Sequence, residues 1–256
     1  MKHILLVLLG ILVMHLITGC GEGNAPVDDN ATNEPTNQNA DLNTDTSTAL
    51  ANGFCAAQTQ LQIVSTGLLS AYSVKGNGSD LNYCGGEIIL TEDNPDFAIS
   101  INDYCFNFRN QQLTLNGDII GAIESGANFT SQIQALSVVG DAVDLSISGR
   151  TWDGRADDMF ISITVHDNLA DEALILEDVS IKKGELDFGY VTFSDLGRFE
   201  FKFIEHFNAE LTQGQLFLYG KGEELVIVTA DNGAISVVYK ESKADPGTPL
   251  DSNCSG

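Results

Sequence analysis

DFAISIN, at residues 96–102, alternates apolar and polar side chains along the chain. Phe or Ile falls at every second position, which is the period of a β-strand with one buried face. The same alternation returns in VDLSIS at 143–148 and in RFEFKF at 198–203. These stretches predict a sheet that is packed on one side and exposed to solvent on the other.

Similar short runs continue from about residue 84 to residue 240, and no helical period separates them. Consecutive strands joined directly to one another favour an antiparallel meander, and Asp231-Asn232-Gly233 is typical of a tight hairpin turn. The predicted fold class is mainly β, an antiparallel, strongly curved sheet or open barrel of about 12 strands with one N-terminal helix packed on it. A sandwich and a closed barrel rank below it.

The predicted helix precedes the strands. Apolar residues recur at spacings of three and four between Leu50 and Tyr72, which is the pattern of an amphipathic helix. Residues 45–48 offer capping side chains, and Gly76 and Gly78 would end the helix. We expect its apolar stripe to cover the apolar face of the sheet.

The N-terminus has the features of an export signal. Lys2 precedes a largely apolar run, Ile4 to Leu16, which is shorter than the roughly 20 residues that a spanning helix needs. Residues 17–20 read Ile-Thr-Gly-Cys and resemble the lipobox of bacterial lipoproteins. The resemblance implies a signal peptide over 1–19, cleavage before Cys20, and acyl chains such as palmitate on that cysteine.

In the same family, Asp directly after the lipidated cysteine marks retention in the inner membrane. Gly21 stands at that position, so the resemblance implies a lipid-anchored protein of the cell envelope, in the outer membrane of a Gram-negative cell. Residues 20–46 are polar and predict a disordered tether. The predicted β-rich domain with its helix covers 47–243, and 244–256 is predicted to be a flexible tail.

Apart from Cys20, the mature chain has four cysteines: Cys55, Cys84, Cys105 and Cys254. An oxidising compartment favours two disulfides, and three pairings are open. Cys84 with Cys105 is preferred because both border predicted strands and lie close in sequence. Cys55 would then pair with Cys254.

Composition narrows the range of partners. The formal net charge is −24, with acidic residues scattered along the chain, which disfavours nucleic acid and charge-driven contact with anionic lipid. Membrane contact is therefore expected through the lipid anchor. A protein partner and a hydrophobic ligand both stay open.

Catalytic motifs are not found in the sequence, which lacks G-x-S-x-G, H-E-x-x-H and glycine-rich phosphate loops. His166 and His206 each adjoin a carboxylate, but neighbours in a strand point to opposite faces. No catalytic residue is predicted, and a hydrolase with unidentified carboxylates is the third-ranked function.

Two weaker sites are considered. Asp153, Asp157 and Asp158 could supply oxygen ligands to calcium, although a solvated turn explains the same residues, and no other cofactor is expected. A second hypothesis is an acyl-chain pocket lined by an aromatic strand, although burial in the core explains its composition equally. Its residues are Phe199, Phe201 and Phe203.

Trp152, in a predicted acidic loop, is either a binding contact or a buried plug.

Cys84-Gly85-Gly86, residues 102–105 (Asn-Asp-Tyr-Cys) and residues 189–193 (Gly-Tyr-Val-Thr-Phe) resemble a pattern in secreted proteins and lipoproteins of Gram-negative bacteria. The resemblance implies the helix-plus-sheet fold and the Cys84–Cys105 bond, and it implies no activity. The sequence therefore predicts a non-enzymatic binding or structural component of the envelope. The alternative is a carrier or sensor of a lipid-like ligand.

Overall fold

One α-helix and thirteen β-strands form the described part of the chain. The structure is a computed structural model that describes residues 39–73, 83–109, 111–124, 128–155, 158–183, 185–207 and 213–251. Helix α1 spans Thr44–Ser73. The strands are β1 Tyr83–Asp93, β2 Asp96–Phe108, β3 Gln111–Ile123, β4 Phe129–Gly140, β5 Val143–Arg155, β6 Asp158–Asp167, β7 Glu172–Lys182, β8 Glu185–Phe193, β9 Gly197–Glu205, β10 Gln213–Tyr219, β11 Leu225–Asp231, β12 Ala234–Lys240 and β13 Thr248–Leu250.

The strands form a single sheet in which each pairs with the next one in the chain. Every pairing is antiparallel, and β1 and β13 are the two edges of an open sheet. The predicted mainly β, antiparallel fold with one N-terminal helix is therefore confirmed. The described residues contain thirteen strands, in agreement with the predicted number of about twelve.

The helix packs its apolar stripe on the inner face of the sheet. Its Phe54 ring lies 5.9 Å from the Phe201 ring and 6.1 Å from the Phe203 ring, both on β9. Near the other end of α1, Tyr72 stacks on Phe129 of β4, with ring centroids 5.0 Å apart. Because residues on strands from β2 to β12 contact this one helix, the sheet curves around it.

Helix α1 begins earlier than the sequence predicts. Asn43 caps it, since its Oδ1 accepts hydrogen bonds from the backbone N–H groups of Asp45 and Thr46, both at 3.0 Å. Asparagine is among the preferred N-cap residues because its side chain satisfies donors that the first turn leaves free. The capping residue thus lies within the segment predicted to be a tether.

The ends of the domain also differ from the predicted limits of 47 and 243. Ala40 donates a backbone hydrogen bond to Arg198 and accepts one from Lys221, and Leu42 is buried. At the other end, β13 pairs with β12 inside the segment predicted to be a tail. Both extensions are short and polar in composition, so hydropathy alone gives no sign that they join the sheet.

The Cys84–Cys105 disulfide is confirmed and links β1 to β2. Gly86, beside it, has a φ of +79°, and a Cβ there would lie 2.0 Å from the Asp103 carbonyl oxygen. The glycine of the Cys-Gly-Gly pattern is thus required by a close backbone approach. Cys55 is also disulfide-bonded; Cys254, its predicted partner, lies outside the described residues.

Candidate binding site on the outer face

A groove of about 920 Å³ lies on the outer face of the sheet, which we define as the face that points away from α1. It is formed at the end of the strands where β1 turns into β2 and β5 approaches β6. Outward side chains from consecutive strands lie side by side there, because Ile120 is in register with Gln132, and Gln132 with Arg150. Thr130, Trp152 and three carboxylates, those of Asp93, Asp96 and Asp178, also line it.

Trp152 is the aromatic wall of the groove and is half-buried. Its ring lies 5.9 Å from the Phe160 ring, which in turn lies 6.2 Å from the ring of Phe188, an exposed residue of β8. Trp152, Phe160 and Phe188 form an outward-facing cluster that we call the aromatic cluster. Contiguous aromatic side chains on the solvent side of a sheet are a feature of interaction sites.

Arg150 supplies the positive charge of the groove. Its guanidinium lies 5.0 Å from the centre of the Trp152 ring, in cation–π contact. Among the described residues, no carboxylate lies within ion-pair distance of Arg150, although the chain has 36 acidic residues. Arg150 lines the groove, so its planar donors can serve an acceptor on a ligand.

A ring of three hydroxyl groups supports the groove from the inner face. Tyr72 Oη lies 2.6 Å from Ser131 Oγ and 3.2 Å from Thr151 Oγ1, and the last two are 2.7 Å apart. All three residues are buried, and burial raises the pKa of Tyr72 to about 12, while its hydrogen bonds with Ser131 and Thr151 act in the opposite direction. The ring joins the end of α1 to β4 and β5, whose next residues line the groove.

The aromatic strand proposed as a ligand pocket lies elsewhere, in the core. Phe199 and Phe201 are 0% exposed and Phe203 is 6% exposed. Phe201 and Phe203 both contact Phe54, so the space between helix and sheet at this point is occupied by side chains. A ligand bound there would have to displace these contacts.

Most of the proposed calcium site lies outside the described residues. Asp157 and the side chain of Asp153 lie outside them, and only Asp158, the first residue of β6, is described. Across the ranges that the structure describes, no group of three or more His, Cys, Asp or Glu residues suits a metal ion.

The two histidines lie on different parts of the sheet. His166, on β6, has Nε2 3.5 Å from Asp171, and its Nδ1 lies 3.1 Å from Asn168. His206 follows β9, with Nδ1 3.2 Å from Glu185 and Nε2 2.8 Å from the Leu186 carbonyl oxygen.

Sequence reasoning considered Trp152 but placed it in a loop, and it missed Arg150 and Ile120. Trp152 lies in β5, which continues to Arg155. The alternation that predicts a strand at 143–148 continues through Arg150 and Trp152. It places both side chains on the solvent-facing side of that strand, and this pattern could have identified them from the sequence.

No protein-family model, curated protein or solved structure matches this chain. In the described part of the chain, no helix has the length and apolar character needed to cross a membrane.

Proposed function

We propose that the chain is an exported, lipid-anchored protein of the cell envelope that acts by binding a ligand in the outer-face groove. The observation that carries this proposal is the pairing of Arg150 with Trp152 in a groove of about 920 Å³. Pockets of about 300–1,000 Å³ with apolar walls and a few convergent polar groups are the usual form of a ligand site.

The lining favours a ligand with an apolar body and a group that accepts hydrogen bonds. Ile120 is 43% exposed and Trp152 is half-buried, so both offer apolar surface that a ligand would cover. Arg150 would donate to the acceptor, and Gln132 and Thr130 offer further polar contacts. A hydrophobic ligand with such an acceptor, or an apolar side chain of a partner protein next to a backbone carbonyl, meets both requirements.

The groove can be followed by fluorescence because Trp152 is the single tryptophan of the chain. We expect anilinonaphthalene sulfonate, an aromatic anion, to bind the folded protein and to quench Trp152 emission, since its sulfonate matches Arg150. Replacing Arg150 with Ala should weaken this binding about fivefold to tenfold, which corresponds to roughly 1–1.4 kcal/mol for a charge-assisted contact at a partly exposed site.

Lys240→Ala is the matched control, because it removes a cation from the same outer face on β12, far from the groove. It should leave both the affinity and the quenching unchanged. Equal affinity of the parent protein and the Arg150→Ala variant would show that the probe binds elsewhere and would remove the support for the groove.

Lipid anchoring is a separate part of the proposal and rests on the lipobox resemblance. Expressed in a Gram-negative host, the full chain should sediment with membranes and incorporate labelled palmitate, and Cys20→Ala should abolish both. Cys254→Ala is the control, since it removes another cysteine without touching residues 17–20. Palmitate incorporation that persists in Cys20→Ala would contradict the assignment.

A further inference from the structure

Two rows of outward side chains cross the groove from β1 to β5. The first row lies perpendicular to the strands because its members are register partners, namely Thr91, Ala98, Ile120, Gln132 and Arg150. The second row begins with Asp93 and Asp96, which face each other across the β1–β2 hairpin. It continues through Ala122 and Thr130 toward Trp152.

The two sides of the groove carry opposite charges. Arg150 is the one cation among the described residues that line the groove, and it lies beside the Trp152 ring. Asp93 and Asp96, which we call the acidic pair, lie at the other side. Within the described residues, no lysine, arginine or histidine nitrogen is within ion-pair distance of the acidic pair. Like charges directly opposite each other destabilise a strand pair, so a cationic group bound between them would relieve this repulsion.

The third carboxylate of the groove, that of Asp178, lies beyond Arg150. The Asp178 backbone N–H donates a 3.0 Å hydrogen bond to Ser162 Oγ, and Ser162 is the register partner of Arg150 on β6. The described lining between Arg150 and the acidic pair is uncharged, and it combines apolar side chains with hydroxyl and amide groups. A ligand that reaches both charges must therefore have an uncharged middle.

The spacing of the strands sets the length of such a ligand. Arg150 is three strands from Asp96 and four strands from Asp93. Since neighbouring strands lie about 4.8 Å apart, the two charges are separated by about 14–19 Å across the sheet. An extended chain of five residues is about 16–18 Å long. A free pentapeptide matches this span, with an ammonium group at one end and a carboxylate at the other.

We propose that the groove binds a short peptide with free termini, about five residues long and extended across the strands. Its α-ammonium group lies at the acidic pair and its α-carboxylate at Arg150. This inference rests on the proposed function and names the ligand class of the same groove. Thr130 and Gln132 can form hydrogen bonds with the peptide groups between the two ends, and a C-terminal aromatic side chain can stack on Trp152.

The probe is the peptide Ala-Leu-Ala-Leu-Phe, titrated into the full chain while Trp152 emission is recorded. Four forms are compared: the free peptide, the N-acetylated form, the C-amidated form and the form with both ends blocked. The free peptide should bind tightest, and acetylation should weaken binding about threefold to fivefold, the effect of one exposed ion pair. The dipeptide Leu-Phe, about 7 Å long, reaches Arg150 but not the acidic pair. Its affinity should not change on acetylation.

Variants assign each terminal charge of the peptide to its partner. Asp93→Asn/Asp96→Asn should weaken binding of the free peptide about threefold to fivefold and should bind the acetylated peptide as the parent does. Arg150→Ala should weaken binding of the free peptide about fivefold to tenfold and should bind the amidated peptide as the parent does. Binding of a blocked peptide with the parent's affinity is the readout that a misfolded variant would not give.

Asp141→Asn/Asp195→Asn is the matched control. It removes two exposed carboxylates from hairpin turns at the strand ends opposite the groove, and it should keep the parent's affinity for all four peptides. Equal affinity of the parent for the four forms, or equal weakening by both Asn double variants, would overturn this inference.

Failure of this inference can be told apart from failure of the proposed function. If anilinonaphthalene sulfonate binding depends on Arg150 but peptide binding is insensitive to the acidic pair, the groove stands and the peptide is the wrong ligand class. If neither probe depends on Arg150, both proposals are overturned.

Discussion

Replacing Phe201 with Ala is expected to lower the free energy of unfolding by about 3–5 kcal/mol, the range for truncating a buried aromatic residue. Phe201 is 0% exposed and contacts two other rings, Phe54 on α1 and Phe203 on its own strand, at 5.9 and 6.0 Å. The change removes the apolar burial and leaves a cavity that the flanking strands only partly close. Chemical denaturation followed by circular dichroism measures it.

Phe188→Ala is the control for the Phe201 prediction. Phe188 has the same side chain, but it is 39% exposed and belongs to the aromatic cluster of the outer face. Its truncation should cost no more than about 1 kcal/mol. A loss below about 1 kcal/mol for Phe201→Ala would contradict a filled core and would favour the ligand pocket that the sequence suggested for this strand.

The second prediction concerns Tyr72. Replacing it with Phe keeps the stacking on Phe129 but removes one member of the buried hydroxyl ring with Ser131 and Thr151. We expect a loss of about 1–3 kcal/mol at pH 7, because the remaining hydroxyls lose a partner that water cannot replace. Denaturant titration of both proteins at several pH values gives this loss and its pH dependence.

The loss should shrink at alkaline pH. Burial raises the pKa of Tyr72 from its ordinary value of 10.0 to about 12 in the folded protein. The unfolded chain therefore releases this proton at a lower pH than the folded protein does. The parent's free energy of unfolding keeps the full contribution of Tyr72 below pH 10 and falls by about 2–3 kcal/mol between pH 10 and 12. Tyr72→Phe lacks that fall.

Tyr219 and Tyr239, whose pKa values are also raised by burial, are present in both proteins and cancel in the comparison. A difference between Tyr72→Phe and the parent that stays constant from pH 7 to pH 12 would contradict a buried, neutral Tyr72.

The sheet was predictable because its signal is local. Alternation in 96–102 and 198–203 reports one buried face, and the stripe from Leu50 to Tyr72 reports the helix that covers it. The Cys84–Cys105 bond followed from two cysteines that border neighbouring strands. Each of these inferences needs only residues that are near one another in the chain.

The groove was not predictable, because it depends on register across several strands. Ile120, Gln132 and Arg150 become neighbours only after bulges in β3, β4 and β5 have set how those strands pair. A one-residue slip would turn each of these side chains to the other face. The same limit applies to β13, whose three residues join the sheet only through their pairing with β12.

The chain enters the folded domain at one end of the strands. Ala40 is held between Arg198 and Lys221, at the strand ends opposite those that form the groove. A lipid anchor upstream of Ala40 would be connected to the domain at that end of the sheet. A force transmitted from the membrane would act on the sheet there first. The groove lies at the opposite ends of the strands, away from that attachment point.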